Sequence, residues 1–292
     1  MKKRRKTGLV VCILLIVLLL FVLYSNNVIT VSRYTAGSGN LPLTFDGYKI
    51  VQLTDWHSKQ FGRDNERLVH KVRAEHPDII VMTGDMVNST DQTFDGLYRL
   101  AEKLVDIADV YYIVGNHEQM LSDQYYDAML STLESIGVHV LTNEKTTLSR
   151  SGEAINLYGL SYSLTYYSDK TKDYIADQPD LYYFSRADIV EILGEKDAGF
   201  TLLLTHNPVY FDTYTDWGAD LTLCGHMHGG MIRLPFVGGI FSPEKTWFPT
   251  YEAGVFEQDG RRMIVGRGLG NGNFGFRLFN NPELVVLTLK AD

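Results

Sequence analysis

Two histidines one residue apart, His226 and His228 in "LTLCGHMHGG", follow an apolar run and precede a glycine pair. At alternate positions their imidazoles can face one centre, and the small glycines let backbone and ligands approach closely. Four further polar clusters stand where an apolar run stops: "TDWH" with Asp55 and His57, "TGD" with Asp85, "GNHE" with Asn116 and His117, and "THNP" with His206. Five of the chain's eight histidines fall in these clusters. Taken singly, a D-x-H or a "TGD" reads as an ordinary turn or a helix cap. Taken in order, they offer Asp, Asn and His donors without thiolate, a set that suits Mn, Fe, Zn or Mg. Two ions ~3.5–4 Å apart, the spacing that clamps an in-line displacement at phosphorus, need one bridging carboxylate. Asp85, behind a glycine on a central strand, is the expected bridge. Cys224 is expected to pack within its strand.

The elements that must carry these residues are legible from periodicity. "YKIVQLTD", "PDIIVMTGD" and "VYYIVGNHE" read as strands, and "RDNERLVHKVRAEH" and "FDGLYRLAEKLVDI" between them as amphipathic helices. "YYDAMLSTLESIG" is helical and ends at Gly137, as a helix C-terminus should. Such alternation predicts α/β units on a sheet buried on both faces. Beyond Gly137 strands dominate: "VHVLTN", "INLYGLSY", "FTLLLTHNP", "ADLTLCGH" and the closing "PELVVLTLK", with one helix near "SRADIVEILGEK". Asp259-Gly260 predicts a hairpin turn. All five clusters then lie outside carboxyl ends of strands, where open α/β sheets gather ligands. The Tyr- and Asp-rich stretch from Thr165 to Tyr183 is expected to be a surface loop or a lid. His70, His76 and His139 read as structural.

The N-terminus stands apart from the rest of the 292 residues. "MKKRRKTG" precedes an unbroken apolar run from Leu9 to Tyr24, near the lower limit for spanning ~30 Å of hydrocarbon. The run is long for a signal peptide and "YSNNVIT" offers no A-x-A cleavage pattern, so an uncleaved anchor is expected. The basic flank predicts a cytoplasmic N-terminus and an extracytoplasmic body. The expected organisation is a basic tail (1–7), a transmembrane anchor (8–24), a stalk (25–45) and one domain (46–292). Without Lys2, Lys3, Arg4, Arg5 and Lys6, 22 basic residues face 35 acidic ones, a formal charge of −13. That argues against specific nucleic-acid binding, which leaves a basic footprint. Bound divalent metal would still make a site locally positive and fit for phosphate. Cys12 in the anchor and Cys224 in a strand provide no disulfide framework.

The motifs D-x-H, G-D, G-N-H-[DE], H and G-H-x-H, in this order, resemble the calcineurin-like metallophosphoesterase superfamily over roughly residues 46 to 290. The resemblance implies a four-layer α/β/β/α sandwich of two mixed sheets. It implies that Asp55, His57, Asp85 and His228 hold one divalent ion and Asp85, Asn116, His206 and His226 the second, with manganese, iron or zinc as the metal. A hydroxide bridging the ions would attack phosphorus. His117 would be the catalytic proton donor, with Glu118 a candidate to orient it. "GHMHGGMIRLPFVGG" and "GRGLGNGNFGFRLFNNPEL" look like the bacterial membrane-associated branch. That branch includes wall-associated phosphoesterases and enzymes similar to UDP-2,3-diacylglucosamine pyrophosphatase. Asn88 stands where relatives often have Asp, and Met227 and Met231 replace a common Thr and Gln. The expected activity is hydrolysis of a phosphomonoester, phosphodiester or pyrophosphate, with a lipid-linked or envelope phosphate suggested by tethering. The rival reading is a metal-binding module without catalysis that acts through partner contacts; a two-metal peptidase is a third. The presence of His117 separates the first from the second.

Overall fold

The computed structural model describes residues 2–167, 182–272 and 275–292; most of the stretch expected to be a loop or lid, 168–181, lies outside them. In chain order the first strands are β1 (Thr30–Ser38), β2 (Lys49–Leu53), β3 (Ile79–Thr83), β4 (Asp109–Ile113) and β5 (His139–Val140). Next come β6 (Lys145–Arg150), β7 (Glu153–Leu160), β8 (Thr201–Thr205) and β9 (Leu221–Cys224). A small ribbon of β10 (Arg233–Leu234) and β11 (Gly238–Gly239) precedes β12 (Gly254–Gln258), β13 (Arg261–Val265) and β14 (Glu283–Ala291). The helices are α1 (Lys2–Asn27), α2 (Glu66–Ala74), α3 (Asp95–Val105), α4 (Asn116–Gln119), α5 (Asp123–Ile136), α6 (Arg186–Leu193) and α7 (Phe211–Trp217).

The strands form two six-stranded mixed sheets, ordered β1-β14-β2-β3-β4-β5 and β12-β13-β9-β8-β7-β6. Period-two alternation sorts their side chains into different layers. In β3, Ile80 and Met82 pack under α2, α3 and α5, whereas Ile79 and Val81 meet the opposite sheet. In β8, Leu202 and Leu204 join that inter-sheet core, and Leu203 packs with Ile189 of α6 and Tyr214 of α7. The result is the expected helix–sheet–sheet–helix sandwich. Each fully buried Leu, Ile or Val in it contributes about 1.5–3 kcal/mol relative to exposure.

Local signals largely hold. Gly137 caps α5 at φ 104°, and Asp259 and Gly260 (φ 52° and 72°) turn β12 into β13. "VHVLTN" yields only the two-residue β5. Two elements have weak sequence signals. In β6 only Leu148 is buried, and α7, "FDTYTDW", is poor in helix formers but buries Phe211, Tyr214 and Trp217 at every third position. Within 25–45, Thr30–Ser38 forms edge strand β1, parallel to β14 across nine residues.

Within α1, Lys6–Asn27 is long and apolar enough to cross a membrane; 22 residues at about 1.5 Å each reach about 33 Å. Its end is tied to the chain before β14. Asn26 Nδ2 donates to the Arg277 carbonyl (2.9 Å), and Asn26 Oδ1 accepts from the Arg277 N–H (3.0 Å). Ser25 Oγ accepts from the Phe279 N–H at 3.1 Å. Cys12 is exposed and Cys224 buried, and both are free thiols.

Candidate metal centre

Level parallel register brings the ends of β2, β3 and β4 to one edge, with Leu53 beside Met82 and Met82 beside Tyr112. Loops leaving those ends carry Asp55 and His57, then Asp85, then Asn116 and His117. From the second sheet, β8 and β9 deliver His206, His226 and His228 to the same place. Three sets of potential ligand atoms lie mutually within 4.8 Å: Asp55, His57 and His228; His57, Asp85 and His117; Asp85, His206 and His226. Asp85 is in the middle. Its Oδ2 stands 3.2 Å from Nε2 of His206 and 3.8 Å from Nε2 of His57. Its Oδ1 accepts from the His117 N–H at 2.8 Å. Asp55 accepts from the Thr54 hydroxyl (2.8 Å) and the His226 N–H (3.0 Å), and its Oδ1 lies 3.5 Å from Nε2 of His228.

The residues fit a pair of cations. His57 donates from Nδ1 to Asn88 Oδ1 (3.2 Å) and His206 from Nδ1 to the Thr83 carbonyl (2.8 Å). Each bond leaves the Nε2 lone pair for a metal. Nε2 of His57 lies only 3.2 Å from Nε2 of His228. Asn116 Oδ1 and the Nε2 atoms of His206 and His226 are buried without a hydrogen bond, although His206 Nε2 is at ion-pair distance from Asp85 and His226 Nε2 is 3.4 Å from Glu244. Buried polar atoms nearly always have partners. Unpartnered ones gathered about a carboxylate are what a cation would satisfy.

Electrostatics favour the ligating form at His57 and His228. Burial pushes the His57 pKa down to about 4 and lowers His228 well below its ordinary value, so both are neutral near pH 7, the ligating form. For His206 burial acts downward but the Asp85 and Asp55 carboxylates prevail, raising it to about 10, so without a cation its Nε2 also holds a proton, which metal binding would release. Asp85 shows the reverse balance: burial acts upward, yet His206 and the other histidines hold it well below the carboxylate range.

Backbone strain collects here as well. Asp55, His57, Asp85, His226 and His228 have φ of 48°, 48°, 52°, 70° and 49°. A left-handed non-glycine residue costs about 1–2 kcal/mol and persists where its surroundings over-determine it. Two glycines are needed for close approach: a Cβ on Gly115 would fall 2.3 Å from Asp85 Oδ1, and one on Gly225 2.4 Å from Asp55 Oδ2.

Glu118 has a different place from the one expected. It is buried, and its carboxylate accepts from the backbone N–H groups of Asp85 (2.9 Å), Met86 (2.7 Å), Val87 (3.2 Å) and Gly115 (2.8 Å). It therefore clamps the loop after β3 to the loop after β4. Burial and the nearby Asp85 charge push its pKa up to about 7. The His117 ring is held elsewhere: its Nδ1 accepts from the Ser89 N–H at 3.1 Å, so the neutral ring carries its proton on Nε2.

Sequence reasoning missed Arg277 and Asn280. Arg277 is fully buried; its Nε donates to the Gly270 carbonyl (2.8 Å) and its Nη2 lies 3.3 Å from Nδ1 of His228. Asn280 Nδ2 donates to the His228 carbonyl at 2.7 Å. The available signal was a cation inside the apolar, glycine-rich "GNFGFRLFNN". Partners behind a metal ligand typically matter ~10–100-fold in metal affinity. Asn280→Ala, which frees the His228 carbonyl, is therefore expected to weaken metal binding by about that factor, read by calorimetric titration with Mn²⁺; unchanged affinity would remove Asn280 from the site.

Comparison with known proteins agrees with this architecture. A calcineurin-like phosphoesterase family profile matches residues 48–230. The uncharacterized metallophosphoesterase YkuE of Bacillus subtilis is 30% identical over 270 residues, covering 91% of this chain and 87% of its own. The phosphodiesterase YaeI of Escherichia coli is 28% identical over 246 residues, covering 83% and 82%. An uncharacterized metallophosphoesterase of Aquifex aeolicus is 29% identical over 265 residues, covering 89% and 92%. With an Asp/His cluster able to hold two divalent ions at the ends of its sheets, the chain belongs to the calcineurin-like phosphoesterases and is a metal-dependent phosphoric ester hydrolase.

Proposed function

We propose that Asp55, His57, Asp85 and His228 hold one ion, that Asp85, Asn116, His206 and His226 hold the other, and that His117 protonates the leaving oxygen. The observation that carries this reading is Asp85 Oδ2 set between His57 and His206 amid buried, unpartnered ligand atoms. When bound, the two ions neutralise charge on the phosphoryl oxygens and lower the pKa of an attacking water. The chain's own residues do the rest. Asn88 and the Thr83 carbonyl fix the tautomers of His57 and His206. Glu118 holds the loops of Asp85 and Asn116 in register. His117, on the wall of a cleft of about 300 Å³ that Asp85, Asn116, His226 and His228 also line, turns Nε2 to the departing group. To give up a proton there its ring must first be imidazolium, with Nδ1 protonated and released from the Ser89 N–H.

The apolar helix serves, in this reading, as an uncleaved anchor with its basic end in the cytoplasm and the hydrolase outside. Its hydrogen bonds to Arg277 and Phe279 keep the cleft near the bilayer, which favours a lipid-linked or envelope phosphoester or pyrophosphate, as in the membrane-associated branch. Purified full-length protein with Mn²⁺ is expected to hydrolyse members of a panel of monoesters, diesters and pyrophosphates and to stop when chelator is added. No turnover on any of them by metal-replete protein would defeat the proposal.

Metal should also stabilise the fold. A ligand at ~1,000 times its Kd adds about 4 kcal/mol, and a domain of this size shifts about 2–4 °C per kcal/mol. Chelation is thus expected to lower Tm by about 10 °C in a thermal melt, with recovery on adding Mn²⁺. An unmoved Tm would mean that the cluster binds no ion tightly.

A further inference from the structure

Leading away from the cleft is a connected apolar ribbon that plays no part in the chemistry above. Phe279 packs on Phe21 of α1, ring centroids 5.4 Å apart. The neighbouring Leu278 carbonyl accepts from the Arg233 N–H at 3.1 Å, and the Ile232 carbonyl from the Ile240 N–H at 2.9 Å. Ile240 in turn accepts from Phe248 at 2.8 Å, and Phe241 pairs with Trp247. One side of this ribbon lines the cleft through Met231, Phe241 and Pro243. The other exposes Phe236, Val237, Trp247 and Phe248, with Phe276 and Phe279 exposed on the adjoining loop. Single exposed apolar residues need no explanation, but a contiguous set does.

Charge points the same way. In a chain of net charge −8, residues 231–250 carry Arg233, Lys245 and one carboxylate, Glu244, which is buried. The half-buried Glu252 that also touches the ribbon is paired with Arg233 at 3.0 Å. Residues 267–282 contain no carboxylate. An apolar, aromatic surface whose one nearby partly exposed carboxylate is neutralised by Arg233 suits the headgroup layer of an anionic bilayer.

We infer that the ribbon of residues 231–248 and the loop of residues 276–279 dock on the outer leaflet of the membrane that α1 crosses, so that the cleft takes the phosphoester of a lipid still seated in the bilayer. The inference rests on the anchored reading above and commits it to a substrate reached from the membrane plane. The occupant is chosen by continuity: the patch begins on the helix that enters the bilayer.

Tryptophan fluorescence tests this directly. Of three tryptophans, Trp56 and Trp217 are 0% and 2% exposed and Trp247 is 69% exposed, so lipid-borne quencher reports on Trp247. Full-length protein in phosphatidylcholine–phosphatidylglycerol vesicles is expected to show blue-shifted emission. Substituting dibrominated phosphatidylcholine should quench it, and Trp247→Ala should abolish the quenching. The double variant Phe236→Asp, Phe248→Asp should lose that quenching. It should also hydrolyse a vesicle-borne phosphoester at least about tenfold more slowly while keeping its rate on a soluble one, since an apolar contact with the interface is removed. Unquenched emission in the wild type would overturn the inference. So would an equal loss on both substrates, which marks a structural loop, or quenching replaced by a dimer that shields Trp247, which assigns the patch to a second copy. Chelator-sensitive turnover of the soluble ester reads the hydrolase assignment separately, and carbonate-resistant vesicle association of the double variant reads the anchor.

Discussion

Asp85→Asn is expected to abolish turnover and to leave the purified protein with at most one tightly held ion per chain. Asparagine preserves the volume, and its Oδ1 can still accept from the His117 N–H, as Asp85 does at 2.8 Å. The charge is lost, and an amide N–H2 replaces the oxygen that stands 3.2 Å from His206 and 3.8 Å from His57. Both proposed ion sites use that oxygen, so the substitution strikes both. Ions at such a site supply several kcal/mol of transition-state stabilisation, and each 1.36 kcal/mol is tenfold in rate. The expected loss in kcat is therefore at least about 10³-fold. The checks are steady-state kinetics, elemental analysis and far-UV circular dichroism on the same preparation. A variant with native spectrum, two ions and more than a tenth of the wild-type rate would show that Asp85 bridges nothing.

What made this site readable was that its parts hang on strand ends. A buried strand announces itself as a short apolar run, and the first polar residues past it are placed on the sheet's edge without knowledge of the rest of the fold. Asp55, Asp85, Asn116, His206, His226 and His228 were legible in that way, each one to four residues beyond β2, β3, β4, β8 or β9. The same logic gave the layers, because Ile79 through Met82 alternate between two cores and leave no solvent face.

Contacts distant in sequence were not legible. Glu118 looked like a loop carboxylate beside His117, and only the fold brings the N–H groups of Asp85, Met86 and Val87 onto it, over 30 residues away. Arg277 reaches His228 across 49 residues, and Asn26 holds Arg277 across 251. No periodicity encodes such pairs. Edge elements were weak for a related reason: β1 buries only Ala36 and β6 only Leu148, so the hydrophobic pattern that marks a strand is nearly absent. Left-handed backbone at five candidate ligands was also invisible, since Asp and His, though enriched at positive φ among non-glycine residues, adopt it too rarely for the sequence to mark it.

His117→Ala is expected to slow turnover ~10²–10⁴-fold, the share of a positioned general acid, while the metal content stays at the wild-type value. The reasoning turns on which ring nitrogen is engaged. The proposed ligands His57 and His206 donate from Nδ1 and so keep a free lone pair on Nε2. His117 accepts at Nδ1 from Ser89, so its neutral ring has N–H at Nε2. That tautomer alone does not exclude a ligand, since Nδ1 of the proposed ligand His228 likewise faces a donor, Arg277 Nη2, at 3.3 Å, and metal content is what decides. The leaving group provides the sharper test. A nitrophenolate departs without help, whereas an alkoxide must be protonated as it leaves. The variant's defect should accordingly be smallest with a p-nitrophenyl ester and approach the upper end of the range with an alkyl ester of the same phosphate. Equal defects on both esters would show that His117 stabilises charge on the phosphoryl oxygens instead, and loss of an ion would return it to the ligand set with which it shares a 4.8 Å neighbourhood.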